Sequence, residues 1–317
     1  MPAGKQILDR IKSVRNTGKI TRAMELISTV KMKKAADIAI GARPFAMEAS
    51  GIFSRVADDI SASPYVENQE QKEERRDKKV GIIGEELGTR NSELKTLVVV
   101  VTSNRGLCGA YNINVFREAL RQIAGTTADF VTIGKKAREF VTRTGNSLIA
   151  DYSSIFKDDP TAEQVKTISI GLRELFLAEG YTEVKVIYSF YISAIAQKAV
   201  TRPFLPVSKD KLSSFLEEIT GSFITPMTQT GEYKLEPSKK IIADAIVPLI
   251  LDLMFYEMLL EAKASEHAAR MVAMKNARES SGTKVKELTL IYNKARQAAI
   301  TKEISEIVSG VESMKDI

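Results

Sequence analysis

Apolar and polar positions divide this chain into three kinds of stretch: long helical runs at both ends and a strand-rich middle. From Lys239 to Val311 there is one proline (Pro248) and two glycines (Gly282, Gly310), set among Ala, Leu, Met, Glu, Lys and Arg, the strong helix formers. At about 1.5 Å per residue this run spans roughly 110 Å, several times the width of a small domain. Within it Val285, Leu288, Tyr292, Ala295 and Ala299 step by three and four, a narrow heptad seam that asks for a partner helix rather than a broad core.

The other end of the chain supplies a candidate. Residues Lys5 to about Asp59 contain one proline, Pro44, and carry Ile7, Ile11 and Val14, then Ile20, Met24, Ile27 and Val30, again at helical spacing. An antiparallel coiled coil of the two termini on a globular base follows. A plain helical bundle is the alternative, favoured where short loops join several helices of ordinary length.

Between the helices the period changes. Residues 67–79 hold ten charged side chains in thirteen and no apolar one, so they cannot enter a core. Leu97 to Thr102 is a continuous β-branched run, the pattern of a strand covered on both faces. It is followed by the loop SNRGLCGAYN, a helix over Ile113–Ile123, a strand over Phe130–Ile133, a helix over Lys135–Arg143 and a strand near Leu148. A helix over Thr161–Ala178, strands over Val184–Ile192 and Ala199–Val207, and a short helix over Lys211–Glu218 complete the series. Strands alternating with helices predict an α/β sheet domain. The expected organisation is an N-terminal helix over residues 1–59, a charged linker over 60–96, a Rossmann-like domain over 97–237 and a C-terminal helix over 238–317. A bend at or before Pro248 is also expected, because the ring removes a backbone donor.

Composition narrows the function classes. The 317 residues are 44% hydrophobic and 27% charged, the balance of a globular chain. Cys108 is the single cysteine, which excludes an internal disulfide framework and fits a reducing compartment. The opening residues lack an apolar signal core, and no apolar run reaches the ~18 residues of a membrane span. The formal charge of +6 is uneven. Residues 1–43 hold ten lysines and arginines against three carboxylates, a net of +7, so everything after them sums to −1. A basic helix suits nucleic acid, an anionic surface or an acidic protein collar. The absence of aromatics between Met1 and Pro44 weakens the nucleic-acid reading.

Candidate chemistry is sparse. The Gly106/Gly109 loop sits where phosphate loops sit but matches neither G-x-G-x-x-G nor the P-loop, so a tight turn is expected. Cys108 and the only histidine, His267, lie far apart in sequence, and His267 has no companion for a metal site. The carboxylate pairs Glu85/Glu86 and Asp158/Asp159 fall in loops without an apolar pocket. No catalytic residue, cofactor site or metal site is expected.

Three segments carry a resemblance: IKSVRNTGKITRAMELISTVKMKKA at 11–35, SNRGLCGAYN at 103–112, and ASEHAARMVAMKNARESSG with ELTLIYNKARQAAITKEISEIVSG within 264–310. Together they closely resemble the γ subunit of the F-type ATP synthase. The resemblance implies a rotor shaft, whose terminal helices form a left-handed antiparallel coiled coil inside the hexagon of α and β subunits. It implies a Rossmann-like domain at the foot, against the ε subunit and the c-ring. It places Met24 beside an acidic β loop, and Arg296, Gln297 and Thr301 against the catch loops of the collar. It also implies a hetero-oligomer with one copy per complex, peripheral to the membrane. The stretch Val66–Lys95 is longer than expected for compact bacterial members, the cysteine pair of the light-regulated chloroplast type is missing, and the start at Met1 without a transit peptide favours a bacterial inner membrane. A coiled-coil-bearing, Rossmann-like nucleotide-binding protein is the alternative.

Overall fold

The structure is a computed structural model that describes residues 2–60, 63–67, 95–123, 128–156, 159–220 and 236–315. Most of the expected linker, residues 68–94 with Glu85 and Glu86, and Asp158 lie outside the described residues. The elements are α1 (Pro2–Gly41), α2 (Arg43–Val56), β1 (Thr96–Val101), α3 (Tyr111–Gln122), β2 (Ala128–Ile133), α4 (Lys135–Arg143), β3 (Ser147–Asp151), α5 (Ala162–Ala178), β4 (Glu183–Ser193), β5 (Ala196–Leu205), α6 (Lys209–Thr220) and α7 (Lys239–Lys315). Contacts divide the chain into two compact units, Met1–Thr29 with Arg270–Ile317, and Val30–Ala269.

The second unit is built on a five-stranded sheet in the order β3-β2-β1-β4-β5. Its first four strands are parallel and β5 is antiparallel to β4. Every residue of β1 is buried, because the sheet is covered on both faces. Alternation along the strand splits the covering. Leu97, Val99 and Val101 join the core made with α2, α5, α6 and α7, whereas Val98 and Val100 join the smaller core made with α3 and α4.

Local chemistry fixes the helix starts. Thr161 caps α5 in a reciprocal box with Gln164, which satisfies two amides that the first turn otherwise leaves open. At the start of α4, Thr102 Oγ1 accepts from the Ala137 amide at 2.7 Å. The approach is possible because position 134 is glycine: its φ is +100°, and a Cβ there would lie 2.2 Å from the Thr102 carbonyl oxygen.

The N-terminal run is two helices where the periodicity predicts one. α1 ends at Gly41 and α2 begins at Arg43, with Pro44 in its first turn. Proline has no amide hydrogen to give to the preceding turn, so the ladder is interrupted there. α7 contains Pro248 and continues through it. Beside it, Arg173 of α5 is buried and donates to the Pro248 carbonyl at 3.1 Å and to Asp252.

The first unit is a pair of helical segments. On α1 the less exposed positions are Ile7, Ile11, Val14, Gly18, Thr21, Glu25 and Ser28, stepping by four and three, with Met24 half-buried beside them. On α7 they include Ser281, Val285, Leu288, Tyr292, Ala295 and Ala299. A Cβ on Gly18 would stand 3.4 Å from that of Ser281, and Glu25 meets Arg278 at 3.3 Å. Advancing along α1 therefore moves backwards along α7, and the pair is antiparallel. A repeat of 3.5 residues gives it a left-handed supercoil.

Only some of the helically spaced apolar residues of α1 belong to its seam. Ile20, Ile27 and Val30 are 61%, 57% and 68% exposed, although their spacing is helical. The heptad phase set by Ile7, Ile11 and Val14 continues to Gly18 and Thr21, and Ile20 lies about 200° around the helix from Gly18. Small and polar residues line the middle of the seam, and the larger apolar ones face outward.

Candidate partner-contact surfaces

In the first unit, heptad phase decides which side chains are free to meet another molecule. Six basic residues of its α1 segment, Lys5, Arg10, Lys12, Arg15, Lys19 and Arg22, are all exposed. They fall outside the seam, where water solvates them and their charge is available at long range. Ile20, Leu26 and Ile27 are exposed beside them. The surface is thus basic with apolar side chains interleaved, a composition suited to an acidic protein partner with some apolar contact.

The α7 segment changes character after Ala299. Every residue from Ile300 to Gly310 is exposed, including Ile300, Ile304, Ile307 and Val308. Apolar side chains concentrated on an otherwise uncovered helix mark an interaction surface.

Met24 is half-buried next to the seam, and Arg296, Gln297 and Thr301 are exposed. Gln297 and Thr301, four residues apart, share one face of α7 with Ile304 and Val308. Arg296 lies on the neighbouring stripe with Ile300 and Ile307. None of the three α7 residues contributes to the seam.

The loop 103–112 in the second unit is organised around its own side chains. Ser103 Oγ donates to the Arg105 carbonyl at 2.7 Å, Asn112 Nδ2 donates to Ser103 Oγ at 2.8 Å, and Asn112 Oδ1 accepts from the Ser103 amide at 3.1 Å. Cys108 is buried and its Sγ accepts from Asn112 Nδ2 at 3.2 Å. Leu107 and Gly109 both have positive φ, the cost of a tight turn. Tyr111 at the end of the loop donates to the Ala262 carbonyl of α7 at 3.1 Å. Gly109 thus helps shape a turn into α3, and Tyr111 ties α3 to α7.

Beside this loop, at the carboxyl end of β1, doubly wound sheets hold their nucleotides. Here the space between Val101, Tyr111, Phe156 and Leu259 is a cavity of about 10 Å³. That is room for about one water, against the several hundred Å³ of a small-molecule pocket. His267 is buried on α7, and Asp159 pairs with Lys34 at 2.9 Å. Among the described residues no group of three His, Cys, Asp or Glu is arranged to hold a metal ion, and no helix is long and apolar enough to cross a membrane.

Sequence reasoning overlooks a cluster in the second unit around Glu257 and Glu261 of α7. Tyr188 of β4 donates to Glu261 Oε2 at 2.6 Å, and burial pushes both carboxyls up to about 7. The proximity of Glu261 raises Glu257 further, whereas Tyr188 and Arg202 work against the shift at Glu261. A signal was present: two carboxylates one helical turn apart within the apolar run MFYEMLLEA.

A family model described as ATP synthase matches residues 3–314. The ATP synthase gamma chain of Cytophaga hutchinsonii is 35% identical over 327 residues, covering 100% of both chains. That of Nitrosomonas europaea is 37% identical over 324 residues, covering 99% of this chain and 100% of the relative. Among solved structures, a chain of the Euglena gracilis mitochondrial ATP synthase, with OSCP, F1 and c-ring, aligns with a TM-score of 0.64 at 19% identity. The alignment covers 99% of this chain and 95% of that one. At such identity the likeness speaks for the fold, and the full-length relatives speak for the family. The match from residue 3 to 314 and the paired terminal helices agree: the chain belongs to the ATP synthase gamma-chain family.

Proposed function

We infer that this chain is the central-stalk rotor subunit of an F-type ATP synthase, transmitting rotation between a membrane c-ring and the catalytic α/β hexamer. The observation that supports it most is the antiparallel seam of the first unit, which leaves basic and apolar side chains facing outward in a chain with full-length gamma-chain relatives. In this reading residues 1–59 and 238–317 form the shaft, 97–237 form the foot domain that meets ε and the c-ring, and 60–96 link them. Met24, Arg296, Gln297 and Thr301 are the contact residues toward the α and β subunits.

The chain carries no catalytic group of its own in this reading. It acts by presenting a different face to each β subunit as it turns, which shifts each site between open and closed populations. The attraction to β is largely electrostatic, so it holds the shaft without interlocking side chains that would resist rotation. The complex sits peripherally on the cytoplasmic face of a bacterial inner membrane.

Assembly with purified α and β subunits tests the function. A stoichiometric complex whose ATP hydrolysis drives proton pumping, once joined to the membrane part, is the expected result. A chain that stays apart from α and β, or that binds a nucleotide by itself in calorimetry, would return the nucleotide-binding reading to first place.

A further inference from the structure

Within the second unit, α1, α2, β4, β5, α6 and α7 line a partly open cavity of about 210 Å³. Six titratable or charged groups face it: Arg43 of α2, Tyr188 of β4, Arg202 of β5, Glu218 of α6, and Glu257 and Glu261 of α7. α1 brings no charge there, only Ala39 and Ile40. The groups are unequally served. Glu261 accepts from Tyr188, and Arg202 pairs with Glu218 at 3.5 Å while lying over the Phe190 ring. Glu257 Oε2 is buried and, among the described residues, has no hydrogen-bond partner. With Tyr188 neutral and the others ionised, the cavity holds three carboxylates against two guanidinium groups.

We propose that the Glu257–Glu261 pair is a proton-operated latch: one proton on the pair matches the charge of the cavity and lets α7 close on α6 and β5, and loss of that proton loosens this packing. The geometry supplies the reasons. Two carboxylates one helical turn apart on the same face repel each other, and a buried charge without a partner is costly. A proton removes both costs. Glu257 is the carrier, because its Oε2 has no hydrogen-bond donor among the described residues and only the charge of Arg43 nearby, whereas Glu261 has both Tyr188 as a donor and Arg202 near it.

The sign follows from linkage. Burial pushes both carboxyls up, to about 7, and their mutual repulsion makes the ionised pair take up a first proton more readily than a second, so the folded state binds that first proton more tightly than the opened state. The latch is firm at acid pH and weakens as pH rises from the ordinary carboxyl value through about 7, after which the effect levels off. In that window one linked proton changes the opening constant by up to about tenfold per pH unit.

The test is amide hydrogen exchange of the full chain between pH 5.5 and 8, corrected for intrinsic exchange, on wild type, Glu257→Gln and Glu261→Gln. Wild type is expected to lose protection at the cavity-facing parts of α6 and α7 as pH rises. Glu257→Gln imitates the protonated state and is expected to hold its protection flat. An unchanged wild-type profile, or the same slope in Glu257→Gln, would overturn the latch. Infrared titration of wild type gives an answer that does not depend on how the variants fold. A protonated-carboxyl band that fades near neutral pH supports the proposal, and its absence at pH 6 removes it.

Discussion

At the scale of single residues, burial and phase separate positions that serve the fold from those that serve a partner. Gly134 serves the fold: its φ of +100° and the 2.2 Å approach of a Cβ to the Thr102 oxygen leave no room for a side chain. Gly134→Ala should cost at least about 2 kcal/mol, combining left-handed strain with the displaced start of α4, and urea unfolding of the full chain measures it. Arg296 is the opposite case. It is exposed and outside the seam, so Arg296→Glu should change stability by no more than about 0.5 kcal/mol. Assembly with the α and β subunits should suffer far more, because a carboxylate would then face an acidic contact, at a cost of several kcal/mol. Unchanged assembly, ATP hydrolysis and proton pumping would remove Arg296 from the contact residues and weaken the case for Gln297 and Thr301. The cavity carboxyls are visible in the sequence as a pair in an apolar run, but what surrounds them is not. Glu257 and Glu261 become unusual only when Tyr188, Arg202 and Glu218 arrive from three other elements.

Elements were legible in proportion to how far their own pattern decided them. β1 announced itself by a run of β-branched residues and α4 by clear bounds, and both stand where the pattern puts them. The α7 seam through Val285, Leu288 and Tyr292 was equally legible, because these side chains are large and their spacing admits one face. The α1 seam was not. Its middle is Gly18, Thr21 and Ser28, which carry no hydrophobic signal, while Ile20, Ile27 and Val30 carry a strong one at a different phase. Apolarity alone does not separate the two stripes, and only the one that runs on from Ile7, Ile11 and Val14 is covered within the chain. The difference can be measured. Leu288 is buried, and Leu288→Ala should destabilise the helix pair by about 2–3 kcal/mol, seen as lost helix signal at lower temperature in circular dichroism. Ile20→Ala should leave the isolated chain within about 0.5 kcal/mol of wild type and weaken only the assembled complex. Equal losses from the two substitutions would mean that Ile20 is covered within the chain itself.

For the whole molecule, the distribution of charge matters more than its sum. A net of +7 within residues 1–43 leaves the other 274 residues slightly acidic, and in the first unit the basic side chains of α1 stand exposed outside the seam. Such a surface attracts an acidic collar over distances set by the ionic atmosphere, about 10 Å at 0.1 M salt and about 3 Å at 1 M. Raising the salt should therefore slow the association of this chain with the α/β assembly by about tenfold or more, while dissociation, set by short-range contacts, changes little. Replacing Lys12, Arg15, Lys19 and Arg22 together by glutamine should flatten that salt dependence and slow association at low salt toward the high-salt value. The α1 positions involved lie outside the seam, so the variant should keep its helical content. Surface-capture kinetics of the full chain over the α/β assembly at several salt concentrations decides the matter. A rate indifferent to salt in wild type, or equally steep in the variant, would show that the collar holds the shaft by its apolar contacts alone, and that the positive charge of the first helix has another purpose.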